Sequence, residues 1–537
     1  MSTNVGTRYS LAWLQDQYDN HNNKQPLEDL VRAWHGIQNL PPTDPNSFFV
    51  LAGYHGEPFV LREAVEALPQ DDKYAYWGGY CAHGNVLFPL WHRAYLWKLE
   101  KALQSIVPGV MLPFWDQTDP YNQGIPRILT DATFDHPTLG RIKNPLCSST
   151  LPASLSDDYW GDNKPAIGDT SPYYKPAGYV TMRYPYSGLV GNEADKESSA
   201  KHNQKYEDYR AAVSMLDQNV KDWVNIAPQT PDGKGSGPGI RLQYMDCLDA
   251  PNYTVFSNTT SASAWNLTVP GQTVVALESP HNDVHLAAGG FDAPQIYAEL
   301  RAGRVPGANG DMGENNTAAF DPMFFFHHCN VDRMFWIWQK LHESTNDLEI
   351  IPNYPGTSSS DSQGPTPGIA PGTPLSLDTP LNPFGKTGKE CVNIEEQLGY
   401  TYGKGSLDGG GLQKSALAAK KGFSAKKLVV RGIDRAQFQG SFLVTVTASV
   451  PDASGKPRET LVGYHSVFSR WDVLSCANCR THLEVVAHFP LREMPEAEVG
   501  RAAFNVAVHH RDEARPGSIK TRSTLSRDLK VTCEITD

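Results

Sequence analysis

The sequence has little cysteine, no long apolar run and no excess of positive charge. Only 8 of its 537 residues are cysteines, and their spacing shows no disulfide framework, which fits a reducing compartment. No apolar run reaches the ~18 residues of a membrane-spanning helix, and a net charge of −12 without a basic stripe gives no reason to expect nucleic-acid binding. The polar start MSTNVGTRYSLAWLQDQYDN has no apolar signal core, which predicts a cytoplasmic protein.

Length and composition predict a soluble protein of more than one domain. The chain is longer than one ordinary core can organise, and its 40% hydrophobic and 20% charged residues are typical of globular proteins. Residues 1–402, rich in aromatic side chains, are predicted to form a mainly α domain with long loops. The clearest helical periodicity is at 85–103 and 324–341. Within this domain, residues 353–389 form a Pro/Gly/Ser-rich loop.

The final part of the chain has a different pattern. Residues 428–537 contain short alternating runs such as SFLVTVTASV and AAFNVAVHH with turn signals between them, which predicts a β-sandwich. The Gly- and Lys-rich segment 403–427 is predicted to be an exposed linker that is open to proteases. The basic residues there that suit a trypsin-like enzyme are Lys404, Lys414, Lys420, Lys421, Lys426, Lys427 and the nearby Arg431.

One group of histidines lies in the first hundred residues, with His55 in GYHGEPF and His83 and His92 in CAHGNVLFPLWHR. His83 and His92 are about two and a half helical turns apart, so they cannot share one face of a straight helix. We therefore expect His83 on the loop before the helix and His92 within it. Cys81 is either a free buried thiol or is joined covalently to the His83 ring by a thioether, which would fix the ring without adding a thiolate ligand.

A second group of histidines lies after residue 280. His281 and His285 in PHNDVH are spaced i, i+4, which places both rings on one helical face. A third nitrogen comes from the His327–His328 pair in DPMFFFHHCNVDR, of which only one ring can point inward. Asp332, one turn later, is placed to orient a ligand or an arginine.

Two sets of three imidazoles without a carboxylate favour copper, which imidazole binds well. A zinc site is the alternative, but the Glu expected after the first histidine of such a motif is Asn282 here. Glu278 stands three residues before His281. It is either a charge at a helix N-terminus or, with Asn282, holds a water that acts as a base toward a phenol.

These motifs together resemble the type-3 copper family of tyrosinases, catechol oxidases and hemocyanins. The resemblance rests on CAHGNVLFPLWHR, on DPMFFFHHCNVDRMFWIWQ and on LGYTY, which is similar to the Tyr-x-Tyr motif that ends the family's catalytic domain, here Tyr400 and Tyr402. It implies a four-helix bundle in residues 1–402 that holds two copper ions, with O2 as co-substrate. The implied ligands are His55, His83 and His92 for CuA, and His281, His285 and His328 for CuB. Cys81-Ala82-His83 resembles the thioether of fungal and molluscan members.

The C-terminal sandwich resembles the shielding domain of fungal intracellular protyrosinases. By that resemblance, Cys476 and Cys479 of CANC serve copper loading. Phe468 in HSVFSRW is either the residue that plugs the active site or a buried strand phenylalanine. Where family members often have a bulky apolar gate, this chain has Asn315, which predicts a more polar or more open entrance.

The function implied is that of a tyrosinase made as a latent proenzyme, which hydroxylates monophenols and oxidises o-diphenols to o-quinones. The alternatives are a catechol or o-aminophenol oxidase without monophenolase activity, a hemocyanin-like oxygen carrier and a structural zinc protein. The expected partners are small phenols, O2 and an activating protease, and homo-oligomerisation stays open.

Overall fold

A computed structural model describes most of the chain. The described residues are 5–56, 79–121, 124–156, 174–226, 239–294, 309–364, 366, 368–408, 423–452, 454–471, 473, 478–479, 482–511, 521–525 and 529–537. Helices dominate up to residue 341, and strands dominate from residue 427 onward. Among the helices within these ranges, none has both the length and the apolar character needed to cross a bilayer.

The first part of the chain is mainly helical, as predicted. Its helices are α1 (Leu11–Asn20), α2 (Gln25–Gln38), α3 (Phe48–Gly53), α4 (Phe88–Ile106), α5 (Glu193–Asn203), α6 (Tyr209–Val224), α7 (Ile240–Leu248), α8 (Tyr253–Ser257), α9 (Thr259–Thr268), α10 (Glu278–Gly289) and α11 (Met323–Leu341). Short strands accompany them: β1 (Gly6–Arg8), β2 (Thr133–His136), β3 (Gly140–Lys143), β4 (Leu155–Ser156), β5 (Tyr174–Lys175) and β6 (Tyr400–Tyr402).

Four of these helices position the histidines. Helix α4 packs against both α2 and α11, and α11 packs against α10. Helix α2 buries one stripe of apolar side chains, as expected for an amphipathic helix at the edge of a core. Helix α11 is buried from Met323 to Gln339, so it forms the centre of the helical domain. Trp34 of α2 stacks on Phe326 of α11 with ring centroids 4.9 Å apart.

The helix predicted at 85–103 begins and ends later than expected. Asn85 precedes α4, and its side-chain oxygen accepts a hydrogen bond from the Leu87 amide, while a proline lies in the first turn, where it costs no helical hydrogen bond. At the other end the chain turns extended at Val107. The helix predicted at 324–341 matches α11 closely.

Strands β1 and β6 pair in parallel and close the helical region on itself. Gly6 lies opposite Tyr400, Thr7 opposite Thr401 and Arg8 opposite Tyr402. The pairing extends one residue further, since the Gly403 amide donates to the Arg8 carbonyl at 2.8 Å.

The C-terminal region folds as two sheets over one core. Its strands are β7 (Lys427–Asp434), β8 (Phe442–Pro451), β9 (Pro457–Val467), β10 (Glu484–Pro490), β11 (Ala503–Arg511), β12 (Thr521–Leu525) and β13 (Thr532–Thr536), with a short helix α12 (Glu496–Val499). The sheets have the orders β10-β7-β13 and β12-β11-β8-β9, and every pairing is antiparallel. Val430 and Val485 from one sheet share a core with Val444 and Val508 from the other, which is the arrangement of a sandwich.

The segment predicted as an exposed linker is described only at its two ends, and residues 409–422 lie outside the described ranges. At the first end, the Ser406 amide donates to Asp116, and Asp408 pairs with Arg333 at 2.7 Å. At the other end, Lys427 is 3% exposed within β7, and its Nζ donates to the Gln272 carbonyl. The prediction of Lys427 as an accessible cleavage residue is therefore wrong, because strand pairing and contact with the helical domain bury it.

Candidate metal centre

Six buried histidines converge where α4, α10 and α11 meet. His92 lies in the second turn of α4, His281 and His285 lie on α10, and His328 lies on α11. His55 directly follows α3 and its cap residue, and His83 lies on the loop before α4, as the spacing predicted. None of the six is more than 4% exposed.

His281, His285 and His328, the second triad, direct their Nε2 atoms to one point. Nε2 of His281 is 3.2 Å from that of His328 and 3.1 Å from that of His285, and the third distance is 3.4 Å. Their i, i+4 spacing places His281 and His285 on one face of α10, and α11 supplies the third ring.

The tautomers of the second triad show that a cation fits between the rings. His285 Nδ1 donates to the Met312 carbonyl at 2.8 Å, and His281 Nδ1 donates to Oδ1 of Asn282 at 2.9 Å. A neutral imidazole carries one proton, so Nε2 of both rings is a bare lone pair. Two lone pairs at 3.1 Å repel each other unless a positive ion lies between them.

His55, His83 and His92, the first triad, are also prepared for a metal. Their ring centroids are 5.2–5.8 Å apart. His55 Nδ1 donates to the Asn315 carbonyl, and His92 Nδ1 donates to the Phe88 carbonyl. Among the described residues, the buried Nε2 atoms of all three rings have no hydrogen-bond partner. Such oriented imidazoles with an unused nitrogen are what a metal site requires.

The two triads face each other across a short gap, so the residues present fit a pair of ions. The rings of His92 and His328 stack at 4.5 Å, and those of His83 and His281 are 5.6 Å apart. Burial lowers the pKa of every ring, to about 3 for both His92 and His285 and well below the ordinary value for the other four. All six are therefore neutral near pH 7, as metal ligands must be.

His327 is the alternative to His328 as the third ligand, since the sequence indicated that only one of the two rings can point inward. Its Nδ1 lies 2.8 Å from the Gln117 side-chain nitrogen, and its ring stacks on His281 at 5.3 Å. The four imidazoles after residue 280 are close enough to be grouped as one set of candidate ligands. The convergence of three Nε2 atoms favours His328, whereas Nδ1 of His327 is occupied by its contact with Gln117.

Glu278 connects the two halves of the centre. One carboxylate oxygen accepts from the Gly84 amide at 2.9 Å, next to His83, and the other accepts from the amide and hydroxyl of Thr259. Glu278 is the first residue of α10, where the helix dipole favours its charge. Burial raises its pKa, which makes its carboxylate a stronger base. Asn282 follows on the same helix and is 8% exposed.

Asp332 orients an arginine, one of the two roles predicted for it. It accepts from Arg93 Nε at 2.6 Å and from the hydroxyls of Tyr400 and Tyr402, and Arg8 lies 3.5 Å away. Burial alone would raise the pKa of Asp332, yet the two guanidinium groups hold it below its ordinary value. This buried network ties β1 and β6 to α4 and α11. The sequence indicated Tyr400 and Tyr402 as a motif, but it did not identify Arg93 or Arg8 as partners of Asp332.

Cys81 is 1% exposed, and its sulfur lies within 4.8 Å of a ring nitrogen of His83 and one of His55. Arg470 of the C-terminal domain reaches it, with Nη2 3.5 Å from the sulfur. Asn315, expected to open the entrance, is instead 4% exposed. The backbone amide of Asn315 donates to the Ser469 carbonyl, so Asn315 lies beneath the C-terminal domain. The expectation of a more open entrance at Asn315 is therefore not met in this structure.

The side chain of Phe468, directly after β9, enters the centre. Its ring stacks on His285 with centroids 4.1 Å apart and planes at 19°, and it lies 6.0 Å from His281. Phe468 is 5% exposed. An aromatic ring from the C-terminal domain thus occupies the position beside the second triad.

The predicted copper-loading pair is only half described. Cys476 lies outside the described residues. Cys479 is 2% exposed, takes part in a disulfide and has its sulfur 3.3 Å from the Gln363 carbonyl oxygen.

Comparison with known proteins agrees with this geometry. Residues 45–341 match the model of the common central domain of tyrosinase. The chain is 53% identical to a tyrosinase named HcTyr2 from Hahella sp., over 100% of both chains, and 41% identical to a tyrosinase of Aspergillus oryzae over 93% of both. Among solved structures, it resembles a tyrosinase from Burkholderia thailandensis at low pH, with a TM-score of 0.84, 54% identity and coverage of 99% of this chain and 100% of that one.

Proposed function

Because this chain belongs to the tyrosinase family, and is thus a phenol oxidase that uses two copper ions and O2, we propose that it is a tyrosinase made in a latent form. It hydroxylates monophenols and oxidises o-diphenols to o-quinones only after the C-terminal domain has moved away. The observation that carries the latency is the Phe468 ring stacked on His285.

The ligand sets are the two triads. His55, His83 and His92 hold one ion, and His281, His285 and His328 hold the other. When bound, the copper pair supplies the redox chemistry with O2. The protein residues keep the imidazoles neutral and oriented, exclude water by burial and leave room for an aromatic ring where Phe468 lies.

For a monophenol, Glu278 and Asn282 act on the proton of the substrate hydroxyl. Glu278 is buried and has a raised pKa, and Asn282 lies on the same helix with its side chain next to His281. A water held between them accepts the phenol proton and passes a proton on to the Glu278 carboxylate, which becomes a neutral carboxylic acid. A catechol oxidase would lack this step.

The monophenolase step is tested with Glu278→Gln, followed by oxygen uptake with a monophenol and with a catechol. Glutamine keeps one oxygen for the Gly84 amide but removes the charge, so monophenol turnover is expected to fall by about 10²-fold while catechol turnover stays within a few-fold. Equal loss with both substrates would show that Glu278 only braces the centre. Unchanged monophenol turnover would remove it from the reaction and favour the catechol oxidase alternative if the wild type also lacks that activity.

Latency is tested with Phe468→Gly and with brief trypsin treatment of the full chain. Removing the ring is expected to raise catechol oxidation without protease, and cleavage within residues 409–422 is expected to raise it in the wild type. Phe504→Ala on β11 is the matched control, because Phe504 packs against the core of the sandwich, and its activity should match the wild type. If Phe468→Gly is no more active than the wild type while trypsin activates both, another part of the domain blocks the site.

Two further roles belong to the proposal. A thioether between Cys81 and His83 should lower the mass of the copper-treated chain by two hydrogens, and Cys81→Ser should abolish that change. Cys476 and Cys479 load copper as thiolates once the disulfide of Cys479 is reduced, so replacing both with serine should slow copper uptake under reducing conditions without changing the final copper content.

A further inference from the structure

A cavity of about 330 Å³ lies between the helical domain and the C-terminal domain, beside the metal centre. Thr260 and Ser263 of α9 and Asn282 of α10 line it on one side. Arg435, which follows β7, and His465 of β9 line it on the other. Its walls therefore carry hydroxyl, amide, imidazole and guanidinium groups from both domains, together with the exposed carboxylate of Glu484, which accepts a hydrogen bond from the Gly432 amide.

Arg435 is a buried cation without a matching anion. It is 6% exposed, and its Nη2 donates to the Phe468 carbonyl over 3.4 Å. Its Nε has no hydrogen-bond partner among the described residues. Within the same residues, no carboxylate comes within 4.0 Å of its guanidinium; Arg470, the other buried arginine of this interface, at least contacts a sulfur.

Glu278 does not supply the missing partner. The charge of Glu278 interacts with that of Arg435, but in the described residues its carboxylate forms no ion pair with the guanidinium within 4.0 Å and instead accepts hydrogen bonds from Gly84 and Thr259. Burial lowers the pKa of Arg435 to about 10, so the side chain remains charged near pH 7. A buried charge that lacks a close partner is costly, because the hydration it loses on burial is not replaced by an ion pair.

The groups that line the cavity favour a ligand with a carboxylate group. A guanidinium presents parallel N–H groups that match the two oxygens of a carboxylate. The hydroxyl of Thr260 adds a donor from the opposite wall, where the hydroxyl of Ser263 is already hydrogen-bonded to His488. His465 is held neutral, since burial and the nearby Arg435 lower its pKa to about 4, so it offers a hydrogen bond without adding a second charge.

We propose that this cavity is a binding site for small carboxylates, centred on Arg435 and separate from the two histidine triads. A bound carboxylate contacts groups of both domains, so it stabilises their association by mass action. The binding needs neither the oxidase reaction nor a copper ligand position, and it is expected in the full-length protein whether or not that protein proves to be latent.

The test is a titration of the full-length, copper-loaded protein with sodium acetate at constant ionic strength, followed by calorimetry and by the thermal unfolding midpoint. Acetamide, the uncharged analogue, serves as the ligand control. Acetate is expected to bind saturably and to raise the midpoint, and acetamide is expected to do neither. A response to acetamide equal to that of acetate would overturn the assignment, because the site would then not recognise charge.

Variants separate this site from acetate bound at the metals. Arg435→Gln is expected to weaken acetate binding by about 10-fold or more, since a charge-assisted hydrogen bond is lost. Arg435→Lys should keep part of the affinity, because lysine keeps the positive charge but lacks the two parallel N–H groups of the guanidinium. Arg458→Gln is the matched control, since Arg458 is an arginine of the same domain in a partly exposed ion pair with Glu498, and it should bind as the wild type does.

Two results contradict the proposal. Acetate binding that is equal in Arg435→Gln and in the wild type would place the ligand elsewhere, the metal centre included. No saturable binding by the wild type would mean that the cavity holds only solvent. If Arg435→Gln does not fold, Arg435→Lys decides, because affinity unchanged by lysine would exclude bidentate recognition.

Discussion

The two histidine triads reach the same geometry by different means. The second triad is carried by regular helices, and two of its members are one turn apart on α10. The first triad draws His55 and His83 from irregular backbone and only His92 from a helix. The comparison shows that helical spacing aligns two of the three ligands of one set, with the third added by the packing of α11 on α10, whereas the other set depends on contacts between distant segments.

Those distant contacts are specific. The Asn315 carbonyl fixes the His55 ring, and Glu278 holds the amide of Gly84 beside His83. The second triad also uses a remote carbonyl, that of Met312 for His285, but the one-turn spacing on α10 already sets the relative position of His281 and His285. The first triad should therefore be the more sensitive half when the surrounding structure is disturbed.

The largest expected effect comes from removing one ligand of each triad. His55→Asn and His285→Asn should each reduce the bound copper from two ions per chain to one and abolish nearly all oxidase activity, because both ions are needed. The copper-to-protein ratio and oxygen uptake measure this. His21→Asn, at the exposed end of α1, is the control and should change neither. A variant of either triad that keeps both ions would show that the assigned histidine is not a ligand.

The next effect tests the network that supports both triads from behind. Asp332→Asn leaves Arg93 and Arg8 buried without their shared carboxylate, which should lower the free energy of unfolding by about 3–5 kcal/mol. The lowered folded pKa of Asp332 stabilises the protein above the unfolded pKa of about 3.9. The difference between variant and wild type should therefore be full at neutral pH and shrink as the pH falls through the folded value.

Urea denaturation of the full chain at several pH values measures this difference. Asp135→Asn on β2, where the residue is exposed, is the control and should change the unfolding free energy by less than about 0.5 kcal/mol. An Asp332→Asn variant as stable as this control would show that the network contributes nothing to folding.

The smallest expected effect comes from alanine substitutions at two glycines. Comparing them distinguishes the cost of backbone strain from displacement of the first triad. Gly84 and Gly109 both have φ near +80° (+72° and +82°), but a Cβ on Gly84 would lie 2.8 Å from Gln363, whereas one on Gly109 would meet nothing within 4 Å. Alanine at either position should cost about 1–2 kcal/mol. Only Gly84→Ala should also weaken copper binding, because it displaces the loop that carries His83. Equal copper affinity in both variants would contradict the greater sensitivity of the first triad.

The sequence predicted those parts of the site that local spacing determines. The shared face of His281 and His285 follows from their i, i+4 separation, and the loop position of His83 follows from its distance to His92. The sequence predicted that Asp332 orients a ligand or an arginine, but Arg93 and Arg8 could not be identified, since they lie 239 and 324 residues away along the chain. Contacts to a backbone carbonyl, such as that of Met312, cannot be predicted from the sequence, because every residue type carries this group.

Contacts between the domains were the least predictable. Asn315 was expected at a more polar or more open entrance, but it is buried and its backbone amide donates to the Ser469 carbonyl of the C-terminal domain. Lys427 was expected in an exposed segment, but it begins β7. In both cases the local composition is polar, and the burial comes from a partner surface that is folded from another part of the chain.

The pairing of β1 with β6 brings the start and the finish of the helical domain to one place. Residues 6–8 and 400–402 lie side by side, and Asp332 binds side chains from both strands. A backbone break beyond Asp408 would therefore leave the new chain end anchored next to the opposite end of the same domain. Both ends of the helical domain are thus held by the same pair of strands. The helical domain can therefore separate from the C-terminal domain without either of its own ends coming free.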